Sequence, residues 1–181
     1  MKIKIGVMGS STMTKDRIVM DRTYQLGREI ALSDCVLVNG ATTGLPDEAA
    51  RGCKEAGGFV LGISPAKDIK EHLTGYKLPI RYYDTIVFTG FGFNQRNILN
   101  IRSSDALIFL KGSFGTLNEF TNAYEDGKII GVLSGLGGVS DYFDEIIKIC
   151  DKKTGAVMVY NSDPKKLVMR LIKLIKSRQK K

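Results

Sequence analysis

The sequence predicts an α/β fold, a Rossmann-like doubly wound parallel sheet flanked by helices. Three observations point there. Short apolar runs alternate with helix-length segments along the chain, which is the βαβ signature of a parallel sheet. The runs are near-continuous in apolar residues rather than alternating, as strands covered on both faces require. Small residues gather just after four of the runs, at the carboxyl edge where such sheets bind ligands.

The first run, residues 3–8, reads as a strand and is followed by Gly9-Ser10-Ser11. The second, 35–38, leads into Asn39-Gly40-Ala41-Thr42-Thr43-Gly44, after which Asp47 and Glu48 fall in the first turn of a helix and favour its dipole. After a third strand at 59–63, residues 65–83 form the longest non-helical stretch, with His72 in a polar loop, either a lid or a crossover connection. The fourth strand, 85–88, ends in Thr89-Gly90-Phe91-Gly92 and precedes an amphipathic helix over 94–105. The fifth, 106–110, runs into Lys111-Gly112-Ser113-Phe114-Gly115-Thr116-Leu117-Asn118-Glu119. Strands at 129–133 and 156–160 follow, separated by the turn Gly135-Leu136-Gly137-Gly138, which either borders the pocket or only connects. Leu167, Leu171, Ile172, Leu174 and Ile175 give the last helix one apolar face.

A chain of 181 residues with 43% apolar content and no long apolar run fits one domain with a proper core. Residues 1–177 are expected to form it and 178–181 a basic tail. No membrane span is expected, and the N-terminal apolar stretch is too short for a signal peptide, which places the protein in the cytoplasm. Cys35, Cys53 and Cys150 are far apart and sit among apolar neighbours, so they read as reduced core residues. With one histidine, a Cys/His zinc site is not expected, and no metal is predicted. The net charge of +8 lies entirely in residues 164–181, which hold eight Lys or Arg and no Asp or Glu. A solvated basic helix accounts for that segment, because no aromatic residues are interleaved for base stacking, so nucleic acid is not the expected partner.

The segment 111–119 admits two readings. Backbone N–H groups at a helix N-terminus attract phosphate, and Gly112, Ser113, Gly115 and Thr116 would let an anion approach. Alternatively, Thr116 and Glu119 are spaced as a capping box. Arg96 either grips a phosphate near the crevice or makes a surface ion pair. Glu119 inside a phosphate-binding helix would repel its ligand unless a cation such as Arg96 lay between them. Paired in a crevice, the two could hydrolyse an N-glycosidic bond, since a carboxylate can stabilise an oxocarbenium-like transition state or activate water. Phe114 either stacks on a base or packs on its own domain. The first turn lacks the full G-x-G-x-x-G fingerprint and no acidic residue follows the second strand, so NAD is not an expected ligand.

The order Gly9-Ser10-Ser11, Asn39 to Gly44, Gly90-Phe91-Gly92-Phe93-Asn94-Gln95-Arg96-Asn97 and Gly112 to Glu119 resembles the LOG ("lonely guy") family, formerly misnamed lysine decarboxylases, and its relatives the molybdenum-cofactor carrier proteins. The resemblance implies a homodimer and one of two activities. One is cleavage of a nucleoside 5′-monophosphate into base and ribose 5-phosphate, with Arg96 and Glu119 as the active-site pair. The other is carriage of an anionic pterin cofactor or nucleotide without turnover. It implies ligand contacts from Gly9, Ser10, Ser11, Gly40, Thr43, Gly44, Gly90, Asn97, Gly112, Ser113, Phe114, Gly115 and Thr116, with no cofactor required for hydrolysis. Lys111-Gly112-Ser113 stands where the hydrolases have Pro-Gly-Gly, and Arg96-Asn97 where they have Arg-Lys, which is similar to the carrier branch.

Overall fold

A computed structural model describes residues 1–180. Each expected strand forms within one residue of its expected bounds. Strands β1 (Lys4–Gly9), β2 (Val36–Asn39), β3 (Phe59–Ser64), β4 (Thr85–Phe88), β5 (Ala106–Leu110), β6 (Ile129–Leu133) and β7 (Val157–Asn161) make one sheet in the order β4-β3-β2-β1-β5-β6-β7. Every pairing is parallel. The strand order reverses at β1, which pairs with β2 on one side (Ile5 with Leu37) and β5 on the other (Ile5 with Ala106). Connections leaving β1 and β5 therefore diverge to opposite faces and open a crevice at their carboxyl ends.

Six helices cover the sheet: α1 (Arg17–Leu32), α2 (Leu45–Glu55), α3 (Gly92–Arg102), α4 (Phe114–Glu125), α5 (Phe143–Cys150) and α6 (Pro164–Arg178). The period-two pleat of β5 divides the core, sending Ala106, Ile108 and Leu110 to one face and Leu107 and Phe109 to the other. The first face packs under α1, α2 and α6 through Leu26, Ile30, Cys53, Leu167 and Leu171. The second packs under α3, α4 and α5, where Phe120 and Phe143 stack at 3.7 Å and Phe109 meets both edge-on. The apolar face of α6 includes buried Val168, while Ile172 and Leu174 flank it half-buried. None of these helices is long and apolar enough to cross a membrane.

Two expectations give way. Residues 65–83 are not wholly non-helical: a short π-helical turn spans Glu71–Gly75, and it carries His72 into the interior rather than a polar loop. The His72 ring is tied at both ends, Nδ1 lying 2.8 Å from Ser64 Oγ and Nε2 3.0 Å from Pro79 O. Hydrogen bonds at both nitrogens let an imidazole sit in an apolar setting. Cys150 is exposed, unlike buried Cys35 and Cys53. Short α5 anchors through Phe143 alone among its fully buried side chains, so its last turn faces solvent.

Helices α1 and α2 cross at two glycines. A Cβ on Gly27 would collide with the Ala49 carbonyl, and one on Gly52 with the Tyr24 carbonyl. Backbone cannot yield as a flexible side chain can, so Gly52→Val should cost about 3 kcal/mol by overpacking. The corresponding fall in Tm is roughly 6–12 °C. Gly115→Ala, whose new methyl meets no protein atom within 4 Å, should leave Tm equal or slightly raised, and calorimetry of both variants beside the wild type checks the pair.

Candidate functional site

A cavity of about 250 Å³ opens at the carboxyl ends of β1, β2 and β5. Its walls come from Gly9, Ser10 and Ser11 after β1, Gly40 and Thr42 after β2, Phe93, Asn94, Arg96 and Asn97 of α3, and Ser113, Gly115, Thr116 and Glu119 at α4. The two helix N-termini nearest the switch point differ in kind. Helix α1 is closed by Asp16, whose Oδ1 accepts from the Ile18 and Val19 N–H groups at 2.9 and 3.3 Å. Helix α4 has Ser113 at its N-cap position with no side-chain cap, and its first internal bond runs from Leu117 N to Ser113 O at 2.9 Å. The N–H groups of Phe114, Gly115 and Thr116 are left for a ligand, the arrangement that binds anions. Thr116 is thus the third residue of the helix rather than its cap, and the capping-box alternative fails on geometry.

Arg96 is not a surface residue: it is 4% exposed. Its guanidinium lies across Gly40, where a Cβ would meet it and the arginine tip would have to shift. Asn100, one turn on along α3 and fully buried, accepts from Arg96 Nη1 through its amide oxygen and donates to Asn39 O at 3.3 Å. Glu119 is 8% exposed on the adjoining wall. The Asn97 amide nitrogen, turned toward its acceptors, donates to Phe93 O at 3.0 Å and to Glu119 Oε1 at 3.3 Å. Burial pushes the Glu119 carboxyl up to about 7, and the positive charge of Arg96 opposes that rise. A carboxyl poised there can exchange a proton near neutral pH.

Other residues singled out from the sequence hold the loops in place. Thr43 Oγ1 donates to Ser11 O at 2.8 Å and Leu45 N to Ser10 O at 2.9 Å, latching the second turn to the first. Gly44, at φ +81°, packs against the Ser10 and Ser11 backbone with no room for a Cβ. The Gly90 N–H is taken by Ala66 O at 2.9 Å, so this glycine makes a turn behind the cavity. Gly112, at φ +106°, lets the Thr116 side chain lie against it. Phe114 is 89% exposed and stands outside the cavity wall. The turn 135–138 braces the Gly112 segment from behind, Val139 N donating to Gly112 O at 3.1 Å. Sequence reading missed Asn100, whose i,i+4 spacing from Arg96 was the available signal, and Asn39, whose amide bonds Pro46 O and Ala41 N, each at 2.8 Å. Among the described residues no three His, Cys, Asp or Glu gather as a metal-ligand set.

With this geometry in hand, similarity to known proteins takes on specific content. The family model described as the SLOG cluster4 family matches residues 2–168. An uncharacterized protein of Archaeoglobus fulgidus is 32% identical over 131 residues, covering 72% of this chain and 80% of that protein. A cytokinin riboside 5′-monophosphate phosphoribohydrolase of Arabidopsis thaliana is 28% identical over 155 residues, covering 82% of this chain and 68% of that protein. The chain spans from 58% to 80% of the length of such curated relatives. The solved molybdenum cofactor binding protein of Rippkaea orientalis superposes with a TM-score of 0.77 at 31% identity, covering 97% of this chain and 98% of that one.

The burial of Glu119 has a thermodynamic signature. The folded protein holds the carboxyl proton up to about pH 7, whereas the unfolded chain releases it near 4.5. The folded state therefore binds more protons between those values, and this group lowers stability as pH rises, by about 3 kcal/mol in all. Glu119→Gln removes the ionisation. It should match the wild type near pH 4 and exceed it in Tm by roughly 6–12 °C near pH 8. A variant less stable than the wild type at the higher pH would mean that Arg96 outweighs the burial cost.

Proposed function

The chain belongs to the SLOG cluster4 family, and from that premise we infer that it binds a phosphorylated nucleotide-like ligand and cleaves the N-glycosidic bond of a nucleoside 5′-monophosphate to free base and ribose 5-phosphate. The observation that carries this reading is the meeting, in one cavity, of the uncapped α4 N-terminus, buried Arg96 and Glu119 with its carboxyl near neutrality. The N–H groups of residues 114–116 take the 5′-phosphate, with Ser113 and the Gly9-Ser10-Ser11 turn enclosing it. The ionised Glu119 carboxylate faces the ribose C1, stabilises positive charge as the bond to the base lengthens, and takes a proton from the water that adds to C1. The base leaves with the electron pair of the broken bond and takes up one proton to become the free base, in balance with the proton that Glu119 draws from the water. Arg96 offsets the negative charge that phosphate and carboxylate bring into one desolvated space.

A specific observation favours a second reading. Asn97 stands beside Glu119 as a neutral amide and occupies one carboxylate oxygen at 3.3 Å, and the solved relative of 31% identity is a molybdenum cofactor binding protein. In this reading the same loops hold a pterin phosphate or nucleotide without turnover. A homodimer and a cytoplasmic location complete the proposal. The dimer is supported by exposed apolar side chains: Val87 on edge strand β4, Phe91 just before α3 and Ile98 on α3.

Incubation with a panel of nucleoside 5′-monophosphates, read by chromatography for free base and ribose 5-phosphate, separates the readings. Hydrolysis predicts base release that Glu119→Ala lowers by about a hundredfold or more, with kcat/KM rising with pH through about 7 as Glu119 ionises. Ligand-induced thermal stabilisation with no base released from any nucleotide would transfer the assignment to the carrier. In light scattering, Ile98→Arg should convert a dimer to a monomer.

A further inference from the structure

With the phosphate on the α4 N-terminus and the ribose C1 toward Glu119, the ring bonded to C1 still needs a wall, and its identification rests on that placement. Phe93, the second residue of α3, lines the cavity beside Glu119. Its carbonyl oxygen accepts from the Asn97 amide nitrogen at 3.0 Å, and the same nitrogen reaches Glu119 Oε1 at 3.3 Å. The Phe93 backbone is thus two hydrogen bonds from the carboxylate that faces C1. Among the described residues lining the cavity, Phe93 is the one aromatic side chain. Phe114, which the sequence offered for base stacking, stands outside the wall.

The Phe93 ring is 48% exposed, whereas Phe109, Phe120 and Phe143 are buried in the core. An aromatic ring left half-open in a cavity wall forgoes much of the burial that stabilises a core phenylalanine. It is nonetheless held in place: Tyr76 meets it in a T-shaped contact, ring centroids 5.2 Å apart and planes at 88°. Tyr76 directly follows the π-helical turn Glu71–Gly75, so the long segment after β3 reaches the site here. The charged side chains of the wall, Arg96 and Glu119, already serve the phosphate and the sugar, and beside Phe93 stands the neutral amide of Asn94. A flat heteroaromatic ring stacks on such a surface whatever polar groups its edge carries, because every base has a π-face. A bicyclic ring overlaps more of it than a six-membered one.

We propose that Phe93 is the stacking platform for the ligand's ring and that, with Tyr76 bracing it, it selects phosphate esters carrying a bicyclic heteroaromatic ring, a purine or a pterin, over those carrying a pyrimidine. Phe93 is then a specificity-determining residue, which binds the ring without taking part in bond cleavage. The platform serves equally whether the ring is released as a free base or carried intact.

The test compares calorimetric binding of ribose 5-phosphate, which has no ring system beyond the sugar, with that of adenosine, guanosine and cytidine 5′-monophosphates. It is run in a Glu119→Gln background, so that the nucleotides are not consumed. Phe93→Ala should weaken both purine nucleotides about tenfold or more and the cytidine nucleotide less, and leave ribose 5-phosphate unchanged. Phe93→Leu keeps apolar bulk without a π-face and should not restore purine binding, whereas Phe93→Trp should. The chain has no tryptophan, so Phe93→Trp also supplies a single fluorophore, which the purine nucleotides should quench and ribose 5-phosphate should not. Equal weakening of ribose 5-phosphate and the nucleotides by Phe93→Ala, or full purine affinity in Phe93→Leu, would overturn the platform. Ribose 5-phosphate bound with purine affinity independent of Phe93 would remove the platform and spare the proposed function; no binding of any of the four would remove both.

Discussion

A guanidinium taken out of water has to be compensated, and most of the cavity is arranged around that demand. Arg96 sits on α3 with its charge laid over Gly40, and the neighbouring sequence is constrained accordingly. The arginine tip occupies the space beside Gly40 that a side chain there would enter. Asn100 gives up an amide oxygen to Nη1, and Asn39 ties the β2 end to α2 so that the shelf beneath does not move. A buried charge is tolerated only with such partners. What remains of its positive field reaches Glu119 across the cavity, where burial and Arg96 act in opposite directions on one carboxyl.

The sheet topology makes this arrangement possible. With β1 at the reversal of strand order, its following turn and the turn after β5 meet at one edge while their helices depart to opposite faces. Helix α1, which takes the phosphate-binding place in many dinucleotide folds, has its first turn closed by Asp16. Helix α4, by contrast, has no side-chain cap at its N-terminus. That exchange of roles is consistent with the absence of a full glycine fingerprint after β1, since a capped helix needs no close approach of a pyrophosphate.

Much of this was legible in the chain, and for identifiable reasons. Strands buried on both faces leave unbroken apolar runs, so β5 and β6 could be placed to the residue. Glycines forced by close approach, such as Gly40 and Gly44, stand out as a motif, and the resemblance drawn from them led to the family that residues 2–168 match. Their local meaning was less legible, because Gly44, Gly90 and Gly112 shape loops while Gly9, Gly40 and Gly115 border the cavity, a distinction that depends on which atoms lie opposite. His72 was misplaced because its neighbours are polar, whereas its burial rests on Ser64 and Pro79, eight and seven residues away, bonding the ring at both nitrogens.

In the proposed function the phosphate sits on the α4 N-terminus with the sugar carbon toward Glu119. The most direct measurement is a crystal structure of the protein soaked with ribose 5-phosphate. Phosphate oxygens are expected within hydrogen-bond distance of the Gly115 and Thr116 N–H groups and C1 facing the Glu119 carboxylate, with Arg96 in place over Gly40. Phosphate bound instead on the basic face of α6, or the sugar turned away from Glu119, would contradict it.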